Sequence, residues 1–337
     1  MLLITYTLPG SCAQETLNVF VWYEEVPDFV IKKFEAETGI KVNFSTYDSN
    51  ETLYAKLKAT TTPGYDVIEP SGYYVDRMRH DGMLEKLDKS KLTNYSNLNP
   101  ELIDTGYDPG GNYSVPYLWG VTGIFVNKKY FSADEISGWS DLAKPKYANQ
   151  LLFLNDPREA FSMALISLGY SANDENPEHL KQAYLKLKSL LPNIKIFNSE
   201  AIPSIFIDED VRVGMAWNGD IYRSQVENPN LQFIYPKDGF VVWADTFAIP
   251  KNAPHKENAY KFLNFMLRPD IAKSASMNFG YPTANLAAQK LLPENIRNNP
   301  MIYPTKKVLK RGQYQTNVSD ATLALIAKYW ELLKAGG

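Results

Sequence analysis

Apolar runs alternate with amphipathic stretches along the first part of the chain. Residues 17–21 read as a short buried strand, and a helix is predicted from Pro27 to Gly39 with Phe29 on its buried face. Residues 41–45 read as the next strand. This β-α-β order predicts parallel strands whose carboxyl ends, and the residues that follow them, lie at a ligand-binding edge of a sheet.

The rest of the chain continues the same alternation. The run 115–126 is apolar and extended, and we interpret it as a crossover strand that enters a second domain. The pattern further predicts strands at 65–69, 151–154, 194–197, 211–217 and 233–235, and helices at 50–60, 157–167, 177–191, 258–267, 270–279 and 319–334.

Residues 241–250 form an apolar run that is interrupted by Trp243 and Asp245. In a strand these two side chains point to the same face. An unpaired buried carboxylate is costly, so Asp245 requires a cation as its partner. That partner is either an internal lysine or arginine or the cation of a ligand, and the run alone leaves both open.

The pairing of aromatic rings and carboxylates recurs at the ends of other predicted elements. Trp22 to Glu25 follow the first strand, and Trp217 ends a later one. Asp156 and Glu159 lie at the start of a predicted helix, where both carboxylates can also satisfy free amide groups of the first turn. Helix capping and ligand binding therefore stay open as alternatives for this second pair.

Composition indicates a protein of two domains that does not bind polyanions. The chain has 337 residues, more than a single core usually supports. Its net charge of −3 gives no electrostatic reason to bind nucleic acid or an anionic membrane. The 22 Tyr and 6 Trp supply flat amphipathic surface suited to sugars, cations or amines, although packing accounts for most of them.

The beginning of the chain resembles the tail of a secretory signal. Residues 1–13 are mostly apolar or small, and we expect residues 1–16 to be a signal-peptide remnant or a disordered tail, which predicts export. The single cysteine, Cys12, excludes a disulfide framework and a site of several thiolates. Pro9 lies within the segment Leu8 to Cys12 and makes that segment a poor lipoprotein signal.

Sequence motifs of enzymes are missing. The chain has no G-x-S-x-G, Walker, dinucleotide-binding or H-E-x-x-H motif, and its three histidines are far apart. Paired carboxylates can serve a glycosidase, but here they come with aromatic residues suited to holding cations. We therefore predict no catalytic residues, no cofactor and no metal site.

Two blocks carry a family resemblance. Residues 22–27 and 47–56 resemble the corresponding blocks of the periplasmic spermidine/putrescine-binding proteins of bacterial polyamine ABC transporters, and the resemblance extends over nearly all of the chain after residue 16. It implies an α/β, two-lobed periplasmic-binding-protein fold of type II, in which each lobe is a mostly parallel sheet flanked by helices and the ligand cleft lies between the lobes. The implied lobes are 17–122 plus 244–289 and 123–243 plus 290–337.

The resemblance also implies a set of ligand-binding residues. Tyr23 and Glu25 depart from the family, which typically has Thr and Tyr on either side of the first glutamate, so a carboxylate is added and an aromatic wall is moved. Carried over residue by residue, the acids that hold ammonium groups are Glu24, Asp156, Glu159 and Asp245, the rings along the methylenes are Trp22, Trp217, Trp243 and Tyr281, and the polar partners are Ser71, Tyr73 and Gln315.

The function implied is the periplasmic capture of a polyamine by a monomer that delivers it to an inner-membrane ABC permease. The resemblance, chiefly Glu24 and Gln315, ranks spermidine first, putrescine second and spermine third. The alternative is a polyamine sensor or interaction protein that uses the same clamp. Uptake of labelled spermidine after deletion of the gene separates the two.

Overall fold

The computed structural model describes residues 14–23, 25–59, 64–200 and 202–336. The predicted signal remnant up to residue 13, with Cys12, lies outside the described residues, and so does Glu24. None of the described helices is both long enough and apolar enough to span a membrane.

The described strands form one mixed sheet. Their order across the sheet is β2-β1-β3-β9-β4-β7-β5-β6, with β10 on β9 and β8 on β4. The strands are β1 Thr16–Trp22, β2 Lys41–Tyr47, β3 Val67–Ile68, β4 Ser114–Asn127, β5 Leu151–Phe153, β6 Ile194–Phe197, β7 Val213–Trp217, β8 Leu231–Ile234, β9 Phe240–Ala248 and β10 Gly312–Tyr314.

Helices surround this sheet, and short 3₁₀ turns lie in the connections. The described α-helices are α1 Asp28–Thr38, α2 Asn50–Ala59, α3 Gly72–His80, α4 Pro157–Ser167, α5 Pro177–Leu190, α6 Ile202–Ile207, α7 Asn218–Ser224, α8 Lys256–Met266, α9 Pro269–Phe279, α10 Leu286–Leu291, α11 Glu294–Arg297, α12 Lys306–Leu309 and α13 Asp320–Lys334.

The first β-α-β unit forms as the sequence predicts, with one correction. Strands β1 and β2 pair in parallel, and Gly39 ends α1 in the left-handed conformation at φ 72°. Phe29, expected on the buried face, is 49% exposed. The buried face of α1 contains Val30 and Phe34, which lie four residues apart. At 3.6 residues per turn, Phe29 lies to one side of this face and is therefore exposed.

The sheet is parallel in its outer parts and antiparallel in its middle. Strands β1, β2 and β3 pair in parallel, as do β5, β6 and β7, whereas β9 runs antiparallel to β3 and β4. The expectation of mostly parallel pairing is confirmed for the outer strands and for β10, which pairs in parallel with β9, and every antiparallel pairing between the described strands involves β4 or β9. The middle differs because β4 and β9 are the long strands that connect the two parts of the sheet.

Strand β4 changes its partner halfway along its length. Its first half pairs with β9 as far as Val121, and its second half pairs with β7 from Thr122 onward. Every residue of β4 is buried. The predicted crossover at 115–126 is confirmed as a single strand that belongs to both parts of the sheet.

Candidate ligand-binding site

Two carboxylates follow the parallel strands β1 and β3, which pair side by side. Glu25 comes shortly after β1, and Glu69 directly follows β3. The backbone N–H of Trp22 donates a hydrogen bond of 3.2 Å to Oε2 of Glu69. The carboxyl ends of the two strands thus bring both acids to one edge of the sheet, as expected for parallel neighbours.

Asp245 lies beside them on β9 and is held by Ser71. The hydroxyl of Ser71 donates a hydrogen bond of 2.5 Å to Oδ1 of Asp245, whose residue is only 6% exposed. Asn50 fixes Ser71 in turn, because its Oδ1 accepts from the N–H of Ser71 at 3.1 Å, and its Nδ2 donates to the hydroxyl of Tyr73 at 3.2 Å. The described side-chain hydrogen bond to Asp245 therefore comes from a neutral donor and not from a cation.

Asp156 and Glu159 stand at the start of α4. Oδ1 of Asp156 accepts the backbone N–H of Glu159 at 2.9 Å, which confirms the predicted helix cap. Glu159 is 5% exposed, and its Oε2 has no hydrogen-bond partner among the described residues. Capping therefore accounts for Asp156 and leaves the buried carboxylate of Glu159 unexplained.

Aromatic rings line the space next to these acids. The rings of Trp243 and Tyr281 meet edge to face, with centroids 5.0 Å apart. Glycines make room for both: a Cβ at Gly120 would lie 2.3 Å from the Trp243 ring, and one at Gly219 would lie 2.2 Å from the Tyr281 ring. The backbone approaches so closely here that only glycine fits without displacing a ring.

Trp22 provides a second ring at the end of β1. It packs against Tyr47 with ring centroids 4.8 Å apart. The indole nitrogens of Trp22 and Trp243 are buried and have no hydrogen-bond partner within the described part of the chain. Each indole therefore presents an apolar face together with a free donor.

Ion pairs do not neutralise the buried acids. Across residues 14–23, 25–59, 64–200 and 202–336, no ion pair with a lysine, arginine or histidine involves any of Glu25, Glu69, Asp156, Glu159 and Asp245. An uncompensated buried carboxylate is destabilising, so this cluster calls for a cation from outside.

Arg158 is buried close to Asp156 and Glu159, but its guanidinium forms hydrogen bonds with other groups. Its guanidinium donates to the carbonyl of Ala172 at 3.0 Å, to Oδ1 of Asn173 at 2.7 Å and to the carbonyl of Thr316 at 3.1 Å. It lessens the negative field at the two acids, yet its hydrogen bonds hold the loops behind α4.

Burial raises the pKa of each acid in the cluster. It raises the pKa of Asp245 to about 7 and that of Asp156 to about 6. For Glu159, burial and the neighbouring Asp156 raise the pKa to about 8. Burial and the charge of Asp245 hold the pKa values of Glu25 and Glu69 well above the usual range.

Of the predicted site residues that the structure describes, most lie together, with three exceptions. Tyr23 is 68% exposed and does not form a wall. Gln315 is buried, and its amide donates to the hydroxyl of Ser162 on α4 at 3.0 Å. Trp217 ends β7 half-buried opposite Thr122 of β4, with no described contact to the acids.

Sequence reasoning missed Glu69, Asp220 and Tyr47. Glu69 is completely buried and follows an apolar strand, which is the same signal that singled out Asp245. Asp220 pairs with Arg223 at 2.9 Å and adds negative charge near Glu25. Tyr47 donates its hydroxyl to the backbone carbonyl of Glu69, a contact between distant segments that no local pattern indicates.

Comparisons with known proteins match nearly the whole chain. The profile of the family described as bacterial extracellular solute-binding protein matches residues 30–304. The spermidine/putrescine-binding periplasmic protein of Salmonella typhimurium is 46% identical over 96% of this chain and 92% of its own length. The protein of the same name from Escherichia coli is 45% identical over 95% of this chain and 92% of its own length.

A solved structure with the same architecture comes from Streptococcus pneumoniae. It is the spermidine/putrescine ABC transporter substrate-binding protein PotD, which is 32% identical, with a TM-score of 0.83 over 96% of this chain and 99% of that chain. The similarity therefore covers both parts of the sheet and the strands that connect them.

The raised pKa of Asp245 predicts how stability depends on pH. Between about pH 4 and pH 7 the folded state keeps a proton that the unfolded chain, with a carboxyl pKa of about 3.9, has released. The stabilisation from this proton is lost as the pH rises through about 7. We expect the stability of the parent, relative to that of Asp245→Asn, to fall progressively between about pH 4 and pH 7, so that the variant is the more stable protein at pH 8.5.

Urea denaturation of both proteins without ligand, at a series of pH values, measures this difference. If the variant is several kcal/mol less stable at every pH, Asp245 is paired with a protein cation and the cluster is not a binding site.

Proposed function

The chain belongs to the bacterial extracellular solute-binding proteins, and we propose that it binds a polyamine in the periplasm and delivers it to the permease of an ABC transporter. Membership confirms the two-lobed, type II periplasmic-binding-protein fold expected from the sequence, and it makes the chain a binding protein and not an enzyme. Relatives at 45% and 46% identity carry the names of spermidine/putrescine-binding periplasmic proteins.

One observation carries the proposal: several carboxylates lie together without an ion pair to any lysine, arginine or histidine among the described residues. Acids that raise the pKa of one another are neighbours, and this gives the order of the carboxylates along the cleft. Glu159 is affected by both Asp156 and Asp245, and Glu25 is affected by both Asp245 and Glu69. The acids therefore form a row with Asp156 at one end and the pair of Glu25 and Glu69 at the other.

A polyamine matches such a row because its ammonium groups are separated by methylene segments. The ammonium groups meet the acids, and the methylenes between them lie against the rings of Trp243 and Tyr281. Each charge-assisted hydrogen bond contributes about 1.5 to 3 kcal/mol, and each cation-π contact contributes about 0.5 to 2 kcal/mol. Several together, after the ligand has been ordered, allow roughly micromolar or tighter binding.

Spermidine fits this row better than putrescine because it carries three ammonium groups instead of two. A row that extends past Asp245 to Glu25 and Glu69 provides a place for the third group. The proposed ligand-binding set remains the one implied by the resemblance: Trp22, Tyr23, Glu24, Glu25, Ser71, Tyr73, Asp156, Glu159, Trp217, Trp243, Asp245, Tyr281 and Gln315. Within it, the exposed Tyr23 has the weakest structural support.

Asp245→Asn tests the proposed function. We expect isothermal titration calorimetry to show that spermidine binds the parent protein and that the variant binds it more weakly by about 1.5 to 3 kcal/mol, the scale of one charge-assisted hydrogen bond. The variant should melt without ligand at the same temperature as the parent or slightly higher, since a buried charge is removed.

Asp108→Asn is the matched control, because Asp108 is also a completely buried aspartate but has protein partners. Its carboxylate accepts the backbone N–H groups of Asn112 at 3.0 Å and Ser114 at 2.8 Å. This control should lose stability by roughly 1 to 3 kcal/mol and keep its affinity for spermidine. If the parent protein does not bind millimolar spermidine, the proposed function is wrong.

We further propose that the lobes are 17–122 plus 244–289 and 123–243 plus 290–337, and that they close on the ligand. The change of partner in β4 between Val121 and Thr122 supports the first boundary, whereas the boundary at 289 falls inside α10. With this division Trp22 and Asp156 belong to different lobes, so a ligand that touches both draws them together.

Small-angle scattering tests closure. Spermidine should reduce the radius of gyration of the parent protein. If the radius of gyration is unchanged under conditions where calorimetry shows full occupancy, the proposed closure of the lobes is contradicted.

A further inference from the structure

Glu25 and Glu69 face each other at one end of the row of acids. Both follow the paired strands β1 and β3 and their carboxyl groups interact directly, an arrangement in which one proton shared by the two is favoured over two like charges. Oε2 of Glu25 and Oε1 of Glu69 are buried, and neither accepts a hydrogen bond from the described residues. Glu69 is 0% exposed, so bulk solvent does not supply these missing donors.

The groups around the pair do not neutralise it. The hydroxyl of Tyr117 donates at 2.9 Å to the backbone carbonyl of Glu25, and the hydroxyl of Tyr47 donates to that of Glu69, so both phenols serve the backbone. Among the residues that the structure describes, the other charged or titratable groups near the pair are the acids Asp245 and Asp220, the phenol of Tyr281, and Arg223, which pairs with Asp220 at 2.9 Å.

Trp22 connects this pair to the ligand cleft. Its backbone N–H fixes Oε2 of Glu69 at 3.2 Å, and its indole packs on Tyr47 with a buried N–H that has no partner within the described segments. A ring face and two free acceptors thus lie at one place. That combination suits an alkylammonium group, whose nitrogen meets the acids while its first methylenes meet the ring.

A metal ion suits this place less well. Among the residues that the structure describes, no group of three or more histidine, cysteine, aspartate or glutamate side chains is arranged to hold one. Two carboxyl groups provide fewer ligands than calcium usually takes, whereas an ammonium group has three protons to donate.

We propose that Glu25 and Glu69 form an additional amine-binding subsite, which exchanges the proton shared by the two carboxyl groups for one ammonium group of the ligand. This inference rests on the proposed polyamine function and adds Glu69 to its binding site. The step is balanced: an ammonium group enters, the shared proton leaves to solvent, and both carboxyl groups become carboxylates. The ligand class is a linear amine with a charged nitrogen at this end of the row.

Glu69→Gln tests the exchange, because the amide has nearly the shape of a protonated carboxyl group and can donate to Glu25 in its place. Calorimetric titration with spermidine at pH 7.5, in two buffers of different ionisation enthalpy, gives both the affinity and the number of protons released. We expect the variant to bind at least about tenfold more weakly and to release about one proton fewer than the parent protein.

Glu25→Gln, which removes the other half of the pair, should give the same two changes. Glu51→Gln is the matched control, since this exposed glutamate lies near Asp156 at the opposite end of the row, and its proton count should equal that of the parent. Melting without ligand checks the fold, and Glu69→Gln should be about as stable as the parent, because the amide replaces the protonated carboxyl group and the pair still carries one negative charge.

The outcomes separate this inference from the proposed function. If the parent protein does not bind spermidine, the function itself fails. If the parent binds but Glu69→Gln keeps the same affinity and proton count, the polyamine function stands and the subsite is refuted. Weaker binding with an unchanged proton count would overturn the exchange, because Glu69 would then act without a shared proton.

Discussion

The burial of several carboxylates without a protein cation is the constraint on which the rest of this molecule depends. Each of these acids has lost water, and each raises the pKa of its neighbours. In a protein interior such charges are tolerated only when they are protonated or paired. A cation that enters the cleft removes this penalty, so the site prefers a ligand that carries several positive charges at intervals.

The fold produces this arrangement by simple means. Parallel strands end at one edge of the sheet, which places Glu25 and Glu69 side by side. The crossover strand β9 brings Asp245 to the same place, and the first turn of α4 adds Asp156 and Glu159. The glycines at 120 and 219 then allow two aromatic rings to approach the backbone closely. Strand ends, a helix start and close packing are therefore enough to build a cleft for a cationic chain.

Much of this could be predicted from the sequence because it depends on local pattern. The β-α-β unit follows from apolar spacing, and the cap at Asp156 follows from an acid directly before Pro157. Contacts between distant segments could not be predicted in this way. The role of Glu69 depends on Trp22 and on Glu25, which lie more than forty residues away. The exposure of Tyr23 depends on how the chain turns after β1, which composition does not determine.

Departures from the family pattern carry specific information here. The family resemblance identifies Glu25 as an added carboxylate but indicates no partner for it. In the folded chain that partner is Glu69, which is completely buried. The two acids extend the row beyond Asp245. Glu25, the departure that leaves the choice of polyamine open in the sequence, is therefore the residue that favours a longer polyamine in the folded chain.

Infrared difference spectroscopy tests most directly whether the ligand neutralises the buried acids. Spectra of the protein at pH 7, recorded with and without spermidine, distinguish protonated carboxyl groups from carboxylates. We expect spermidine to remove absorption of protonated carboxyl groups and to add carboxylate absorption, with a smaller change in Asp245→Asn. If spermidine binds and no carboxyl group changes its protonation, the buried acids are not neutralised by the ligand and the account is contradicted.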